Sequence, residues 1–396
     1  MEHFRKLGIV EHIIKTIEEQ GFEIPSEIQD KAIPLVLSGN DVIAGSATGS
    51  GKTLVFGAGI IQGCEKGKGL QALVLTPTRE LAQQITEALR KFSRYKPLRI
   101  IVVYGGVSIG MQVDQLKTAE VVIGTPGRIL DHIQRNTIRL DRVKILVLDE
   151  ADRMLDMGFI EDVENIIRRC PMQRQTLMFS ATIPEDIRRL ADNHMKNPVK
   201  VSAETYVDPK KMKQYYYDIE ENLKFSLLVH LLKNEKSELV MIFCNSRKTV
   251  DFVSKNLKYV GIDAHAIHGG FSQSMRSNTI ISFHSKASQI LVCTDVASRG
   301  LDIPGVSHIY NYDLPKESKQ YIHRIGRTAR AGEEGKVINL LSYKDHDNFT
   351  RILSDFKVEI VKEKKPYIER IQIRSVERPR FARDNRRNFR ERKRYY

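Results

Sequence analysis

The stretch from Asp41 to Phe56 takes a short apolar run, Val42-Ile43-Ala44, into Gly45-Ser46-Ala47-Thr48-Gly49-Ser50-Gly51-Lys52-Thr53 and then into an apolar helical pattern. A polyphosphate needs hydrogen-bond donors that carry no bulk. Gly49 and Gly51 let backbone N–H groups turn inward, and a helix opening near Lys52 adds its positive N-terminal end. Lys52 can reach the terminal phosphates, and Thr53 can offer its hydroxyl to Mg2+. The strict pattern G-x-x-x-x-G-K-[ST] is broken at its first position, where Ser46 stands. A glycine-rich turn before an ordinary helix is the plain alternative. The strand before the loop and the Gly-Lys-Thr ending favour phosphate.

A second group lies 97 positions after Lys52, where Lys144-Ile145-Leu146-Val147-Leu148 runs into Asp149-Glu150. Ligands of open α/β sheets bind at the carboxyl ends of strands. Asp149 is placed there to hold Mg2+, and Glu150 to polarise an attacking water. Adjacent acids alone can equally be a solvated strand end or a helix start. Paired with the loop, they read as the other half of a nucleotide-hydrolysing site.

These groups must be positioned by strands. Short β-branched apolar runs recur at Val42–Ala44, Ala72–Leu75, Ile100–Tyr104, Val121–Ile123, Lys144–Leu148 and Thr176–Phe179. They recur again at Leu239–Cys244, Ala264–His268, Gln289–Cys293, Ser307–Tyr310 and Lys336–Leu341. Helical patterns such as Arg79–Ser93, Gly158–Arg169, Arg247–Tyr259 and Gln273–Ser285 lie between them. The alternation predicts an α/β fold, a mainly parallel sheet flanked by helices, made twice. The break falls near Ser202–Lys213, which is polar, contains Pro209 and has neither periodicity. The expected division is a leading segment 1–30, domains 31–203 and 214–365, a linker 204–213 and a tail 366–396.

With 396 residues, 41% of them apolar, the chain can build two real cores. No apolar run approaches the ~18 residues of a membrane span, and the opening residues show no secretory h-region. Cys64, Cys170, Cys244 and Cys293 stand alone, without a CxxC pair. Neither a zinc site nor a disulfide framework is indicated, and a reduced, cytoplasmic setting is expected. The net charge is +14, of which Lys362–Tyr396 carries +9. Within it, Ile373–Tyr396 interleaves Arg with Phe381, Phe389, Tyr395 and Tyr396, and the last ~30 residues read as disordered. Its composition suits phosphate contact with base stacking; a merely solubilising tail is the alternative.

Asp149-Glu150-Ala151-Asp152 spells the signature of the DEAD-box RNA helicases, of helicase superfamily 2, and from about Phe4 to Tyr343 the chain resembles that family motif by motif. Gly21-Phe22 with Pro25-Ser26 and Gln29 resembles the Q motif, with Ser26 in place of the more usual Thr. The resemblance implies that Gln29 reads the adenine edge, with Phe22 in the same motif at the nucleotide. It also implies that Phe4, 17 positions before Gly21, stacks on the base. Without it, Gln29 reads as a helix-surface residue and Phe4 as core. Pro77-Thr78-Arg79, Gly105-Gly106 and Thr125-Pro126-Gly127-Arg128 resemble the first-domain contacts to the RNA backbone. Alone they would pass as loop punctuation. Ser180-Ala181-Thr182 resembles the motif that links hydrolysis to strand separation; alone it is a helix N-cap.

In the second half, Val240–Arg247 resembles motif IV, and His268-Gly269-Gly270 with Gln273 and Arg276 resembles the second-domain RNA contacts. Thr294-Asp295 through Ser298-Arg299-Gly300 to Asp302 resembles motif V. The resemblance gives Arg247, Gly269, Arg276, Thr294, Asp295 and Arg299 to RNA, and Gly300 and Asp302 to the nucleotide. His323-Arg324-Ile325-Gly326-Arg327 and Arg330 match motif VI. Arg327 and Arg330 would be arginine fingers on the γ-phosphate, and His323 would bridge the domains. A solvated basic helix turn is the alternative.

The resemblance implies two tandem RecA-like domains, ATP and Mg2+ as cofactors, and an RNA-dependent ATPase. Closure on RNA would unwind short duplexes or remodel RNA–protein complexes, through phosphate and 2′-OH contacts that ignore sequence. A neighbouring-family DNA helicase, a non-processive RNA clamp and an RNA chaperone acting through the tail are the competing readings. Ribonucleoprotein or ribosome-assembly factors are candidate partners, and a monomer is expected.

Overall fold

Strands of a parallel sheet buried on both faces need β-branched and apolar side chains throughout, and the chain supplies two sets of them. The computed structural model describes residues 1–45, 50–202, 212–298, 303, 305–328, 335–356 and 359–373. The first sheet contains β1 (Val42–Gly45), β2 (Ala72–Leu75), β3 (Ile100–Val103), β4 (Val121–Gly124), β5 (Ile145–Asp149), β6 (Gln175–Ser180) and β7 (Val199–Ser202). Their order is β3-β4-β2-β5-β6-β1-β7, all parallel. The second contains β8 (Met212–Asp218), β9 (Leu239–Phe243), β10 (His265–Ile267), β11 (Ile290–Cys293), β12 (Val306–Asn311), β13 (Gly335–Leu341) and β14 (Val361–Lys362). Their order is β10-β11-β9-β12-β13-β8-β14, again all parallel.

Every strand expected from the sequence is present. β7, β8 and β14 were not expected. β7 and β14 are edge strands: β7 buries only Val201, and both residues of β14 are exposed, so neither carries the pattern of a buried strand. β8, Met-Lys-Gln-Tyr-Tyr-Tyr-Asp, has no β-branched residue. β7 and β8 therefore trim the expected break at both ends: Ser202 ends β7, and Met212 and Lys213 open β8.

Helices pack on both faces of each sheet, giving two core layers per domain. The helix Arg79–Phe92 shows how. Thr78 caps it, accepting from the Leu81 N–H, a contact worth about 1 kcal/mol. Leu81, Ile85, Leu89 and Phe92 are buried on one stripe, at roughly 1.5–3 kcal/mol for each large side chain. The leading segment also folds onto the first domain. There Phe4 is fully buried beside Ile13, Ile14 and Ile17. It is a packing residue, which corrects the expectation of a base-stacking ring. At the other end, Ile368 and Ile371 pack on the second core, and the Ile371 N–H donates to Ser226 Oγ at 3.0 Å. Residues 366–373, assigned to the tail by composition, are thus docked. Among the described residues, no helix is long and apolar enough to cross a membrane.

Candidate functional site

Strand order decides which loops meet. β1, β6 and β5 are adjacent, with Gly45 opposite Ser180 and Asp149 opposite Phe179. The glycine-rich loop, the Ser180 loop and the Asp149-Glu150 pair, far apart in sequence, therefore share one stretch of carboxyl edge. β2, β4 and β3 form the other half of the edge, with Leu75 and Val103 both opposite Gly124. This places Pro77–Arg79, Gly105-Gly106 and Thr125–Arg128 together. The first sheet thus separates two groups of loops along its carboxyl edge.

Ser46, Ala47, Thr48 and Gly49 lie outside the described residues, but the end of their loop is well defined. Gly51 adopts φ +88°, and a Cβ there would sit 2.3 Å from Gln29 Nε2. Glycine is needed twice over, for the left-handed backbone and for the close approach. Gln29 is buried; its Oε1 accepts from the Ser26 N–H at 2.9 Å and its Nε2 donates to the Gly51 carbonyl at 3.0 Å. Ser26 Oγ donates to the Ser50 carbonyl at 2.7 Å. Ser26 and Gln29 therefore hold the end of the glycine-rich loop itself. Each Gln29 amide atom keeps one further hydrogen-bonding position. Phe22 is 44% exposed, so this ring, unlike Phe4, offers a face to a ligand.

Lys52 and Thr53 open the helix Lys52–Gly63. Lys52 Nζ lies 2.6 Å from Asp149 Oδ1 and 3.9 Å from Glu150 Oε1, all three side chains nearly excluded from solvent. Lys52 is the cation against the Asp149 carboxylate, which is otherwise poorly supplied with donors. Burial works against the Lys52 charge, but Asp149 and Glu150 outweigh it and raise its pKa. Burial raises the Asp149 pKa, Lys52 opposing and Glu150 adding. A buried carboxylate short of donors, facing the Lys52 end of a helix whose second residue is Thr53, fits a hard divalent cation such as Mg2+. That ion takes few protein ligands and uses substrate phosphates for the rest. Glu150 is left-handed, φ +55° and ψ 52°, at a cost of roughly 1–2 kcal/mol for a non-glycine residue.

The segment that carries Asp149 and Glu150 is joined to the Ser180 loop through Asp152. Asp152 Oδ2 accepts from both the N–H and the hydroxyl of Thr182, each at 3.0 Å. Ser180 Oγ accepts from the Asp152 N–H at 3.1 Å and donates to the Thr182 carbonyl at 2.6 Å. Among the loops after β2, β3 and β4, the Arg79 guanidinium packs on the Gly105-Gly106 turn, where a Cβ on Gly106 would meet it at 2.2 Å. Arg128 Nη1 and Nη2 both donate to the Val107 carbonyl at 3.2 Å. Arg128 thus shapes the glycine turn from behind. Pro126 is the buried first residue of the helix Pro126–Gln134.

In the second domain, Arg247 is exposed at a helix N-terminus beside Gly269, and Thr294 is half-buried. Asp295, expected at RNA, is corrected. Its Oδ1 and Oδ2 accept from Arg324 Nε and Nη2 at 2.6 and 2.7 Å, so both oxygens are spent on a buried fork. Arg324 also donates to Asn245 Oδ1, Asn311 Oδ1 and the Asp313 carbonyl, and lies 5.1 Å from the Phe243 ring. It was named only as part of a motif. An arginine between two expected contact residues carries no sequence signal that it is the hub joining the ends of β9, β11 and β12. Arg299, Gly300, Asp302 and Arg330 lie outside the described residues.

The two domains meet along a seam. At one end, Arg327 is buried, and burial of His323, together with the Arg153 and Arg327 charges, pushes its pKa down to about 4, with Asp152 and Glu150 opposing in part. At the other end, Arg276 Nη2 lies 2.9 Å from Glu80 Oε1, and Gln273 Nε2 donates to the same oxygen at 3.2 Å. Between the domains opens a cleft of about 510 Å³, lined by Pro77, Thr78, Arg79, Thr125, Arg128 and Arg276 among others.

Comparisons with known proteins agree with this layout. The DEAD/DEAH box helicase family model matches residues 26–190, and the helicase conserved C-terminal domain model matches residues 223–332. The chain is 44% identical over 373 residues to the DEAD-box ATP-dependent RNA helicase CshA of Geobacillus kaustophilus, covering 93% of this chain and 80% of that protein. It is 41% identical over 370 residues to the ATP-dependent RNA helicase CshA of Limosilactobacillus reuteri, covering 92% and 74%. The structure of S. cerevisiae Dbp5 bound to RNA and ADP BeF3 superposes with a TM-score of 0.83 at 32% identity, covering 91% of this chain and 95% of that one. With two parallel seven-stranded sheets in tandem RecA-like domains and matches of this extent, the chain belongs to the DEAD-box family of ATP-dependent RNA helicases.

Proposed function

We propose that this chain hydrolyses ATP to unwind short RNA duplexes, or to strip RNA–protein complexes, by closing its two domains over RNA. The observation that carries the reading is the single seam between the domains. Glu150, which belongs to the Lys52–Asp149–Glu150 cluster, faces His323 and Arg327 at one end together with Asp152 and Arg153, and Glu80 meets Arg276 in the cleft at the other. Lys52 and the loop before it bind the phosphates, and Glu150 orients the attacking water. Arg327 and Arg330 stabilise charge growing on the transferred phosphoryl group, a contribution of ~10³–10⁵ in rate in related systems. Thr53 and Asp149 would hold Mg2+, which neutralises phosphate charge when bound. Asp152 carries the state of this site to Ser180 and Thr182.

Arg79, Thr125, Arg247 and Thr294 contact the RNA backbone, which makes recognition independent of sequence. Closure completes the site only when both ligands are present. The arrangement is close to that of Dbp5 bound to RNA and ADP BeF3, by a TM-score of 0.83.

The test is Glu150→Gln. Turnover should collapse while ATP and RNA still bind, and wild-type turnover should be stimulated by RNA and not by DNA of the same sequence. Undiminished turnover in Glu150→Gln would remove the assignment.

A further inference from the structure

We propose that Arg153 is a positioning residue for hydrolysis: its guanidinium fixes the Glu150 carboxylate at the angle from which that group orients the attacking water. The proposal rests on the role given to Glu150 above. Arg153 lies just past the Asp149–Asp152 signature, and no motif in the chain gave it a part.

Arg153 is three residues after Glu150, one turn on, where side chains become neighbours. Its Nη1 donates to Glu150 Oε2 at 2.8 Å, with both side chains 5% exposed. Glu150 Oε1 is the oxygen nearer the phosphate-loop lysine, 3.9 Å from Lys52 Nζ. The two carboxylate oxygens therefore have different duties: one is tied back to Arg153 and the other faces the nucleotide side. A glutamate has three side-chain torsions, so without a tie its oxygens can wander by more than the tolerance of an in-line attack. A shift of about 1 Å in such a group can cost ~10²-fold in rate.

Arg153 is itself anchored. Its N–H donates to Asp152 Oδ1 at 3.1 Å and to the Glu150 carbonyl at 3.0 Å. The other Asp152 oxygen holds Thr182. The tie on Glu150 is thus built on the same short helix that senses the Ser180 loop. A planar guanidinium holds a direction that a lysine ammonium cannot. This separates a positioning role from simple neutralisation of the Asp149, Glu150 and Asp152 charges.

The experiment uses the full chain with a saturating single-stranded RNA oligonucleotide, measuring kcat, the KM for ATP and the affinity for a fluorescent ADP. Arg153→Met should lower kcat by ~10²-fold, with KM and ADP affinity within about 2-fold of the parent. Arg153→Lys, which keeps the charge and guards against loss of fold, should remain about 10-fold impaired in kcat. In a Glu150→Gln background, Arg153→Met should add little, because both changes remove one unit. Full activity in Arg153→Lys, a loss expressed in KM alone, or losses that multiply with Glu150→Gln would each overturn the proposal. Normal turnover in Glu150→Gln alone would instead overturn the reading of the site on which it rests.

Discussion

The Glu80 carboxylate of the first domain and the Arg276 guanidinium of the second are 2.9 Å apart, with 5% and 16% of their side chains exposed. Glu80 sits in the first turn of the helix Arg79–Phe92, and Arg276 in the first turn of the helix Gln273–His284. An ion pair so nearly dry contributes to closure only while both partners stay in place, because either one alone is a buried, uncompensated charge.

Glu80→Gln and Arg276→Gln should therefore each reduce the closed population of the nucleotide-bound, RNA-free protein. The double variant should be little worse than either single one, giving a coupling of about 1–2 kcal/mol. Energy transfer between dyes placed on the two domains reads this directly. Purely additive effects would show that the pair does not hold the seam.

Closure should also depend on pH through His323. An open, solvated histidine titrates near its ordinary value of 6.5, whereas burial, then Arg153 and Arg327, push it to about 4 in the seam, against Asp152 and Glu150. The closed state therefore binds fewer protons than the open one in that interval. By linkage, closure is fully favoured above about 6.5 and is lost as pH falls toward 4. The closed population should fall on acidification from pH 7 to 5, and His323→Gln should flatten that limb. An identical limb in His323→Gln would assign it to another group.

Much of this was legible in the sequence, and what was not follows a pattern. The buried central strands announce themselves as β-branched runs, and the groups at their carboxyl ends follow from where α/β sheets bind ligands. Side-chain direction does not follow. Asp295 stands after a strand among expected contact residues, yet Arg324, 29 positions on, takes both its oxygens. Phe4 has the spacing of a stacking ring, but its short helix buries it. Glu80 meets Arg276, a partner that only the fold brings near.

The phosphate loop yields a steric prediction. Gly51→Ala must hold an L-residue at φ +88° and push its Cβ against the Gln29 amide, 2.3 Å away. The amide can swing aside only by giving up its bond to the Gly51 carbonyl. The backbone penalty alone is roughly 1–2 kcal/mol, so nucleotide affinity should drop by about tenfold or more. Gln29→Ala should also weaken ATP binding, since it removes the tie without the strain. Titration with a fluorescent nucleotide checks both; unchanged affinity in Gly51→Ala would mean that the loop does not need this conformation to bind.

The last prediction concerns residues 374–396, which carry ten Lys/Arg against three Asp/Glu. The chain before them is anchored on the second domain by Ile368, Ile371 and the bond to Ser226. Truncation after Ile373 should therefore leave both sheets and the basal ATPase intact. Each phosphate contact to a single strand contributes about 0.7 to the slope of log affinity against log salt. If about half of the ten basic residues engage RNA, truncation should flatten that slope by roughly 2–4. Affinity should fall most at low salt and converge with that of the full chain at high salt. A salt series of RNA binding with both proteins measures this. A parallel downward shift, with the slope kept, would place the lost contacts among stacking aromatics such as Phe381 and Phe389 instead of among the arginines.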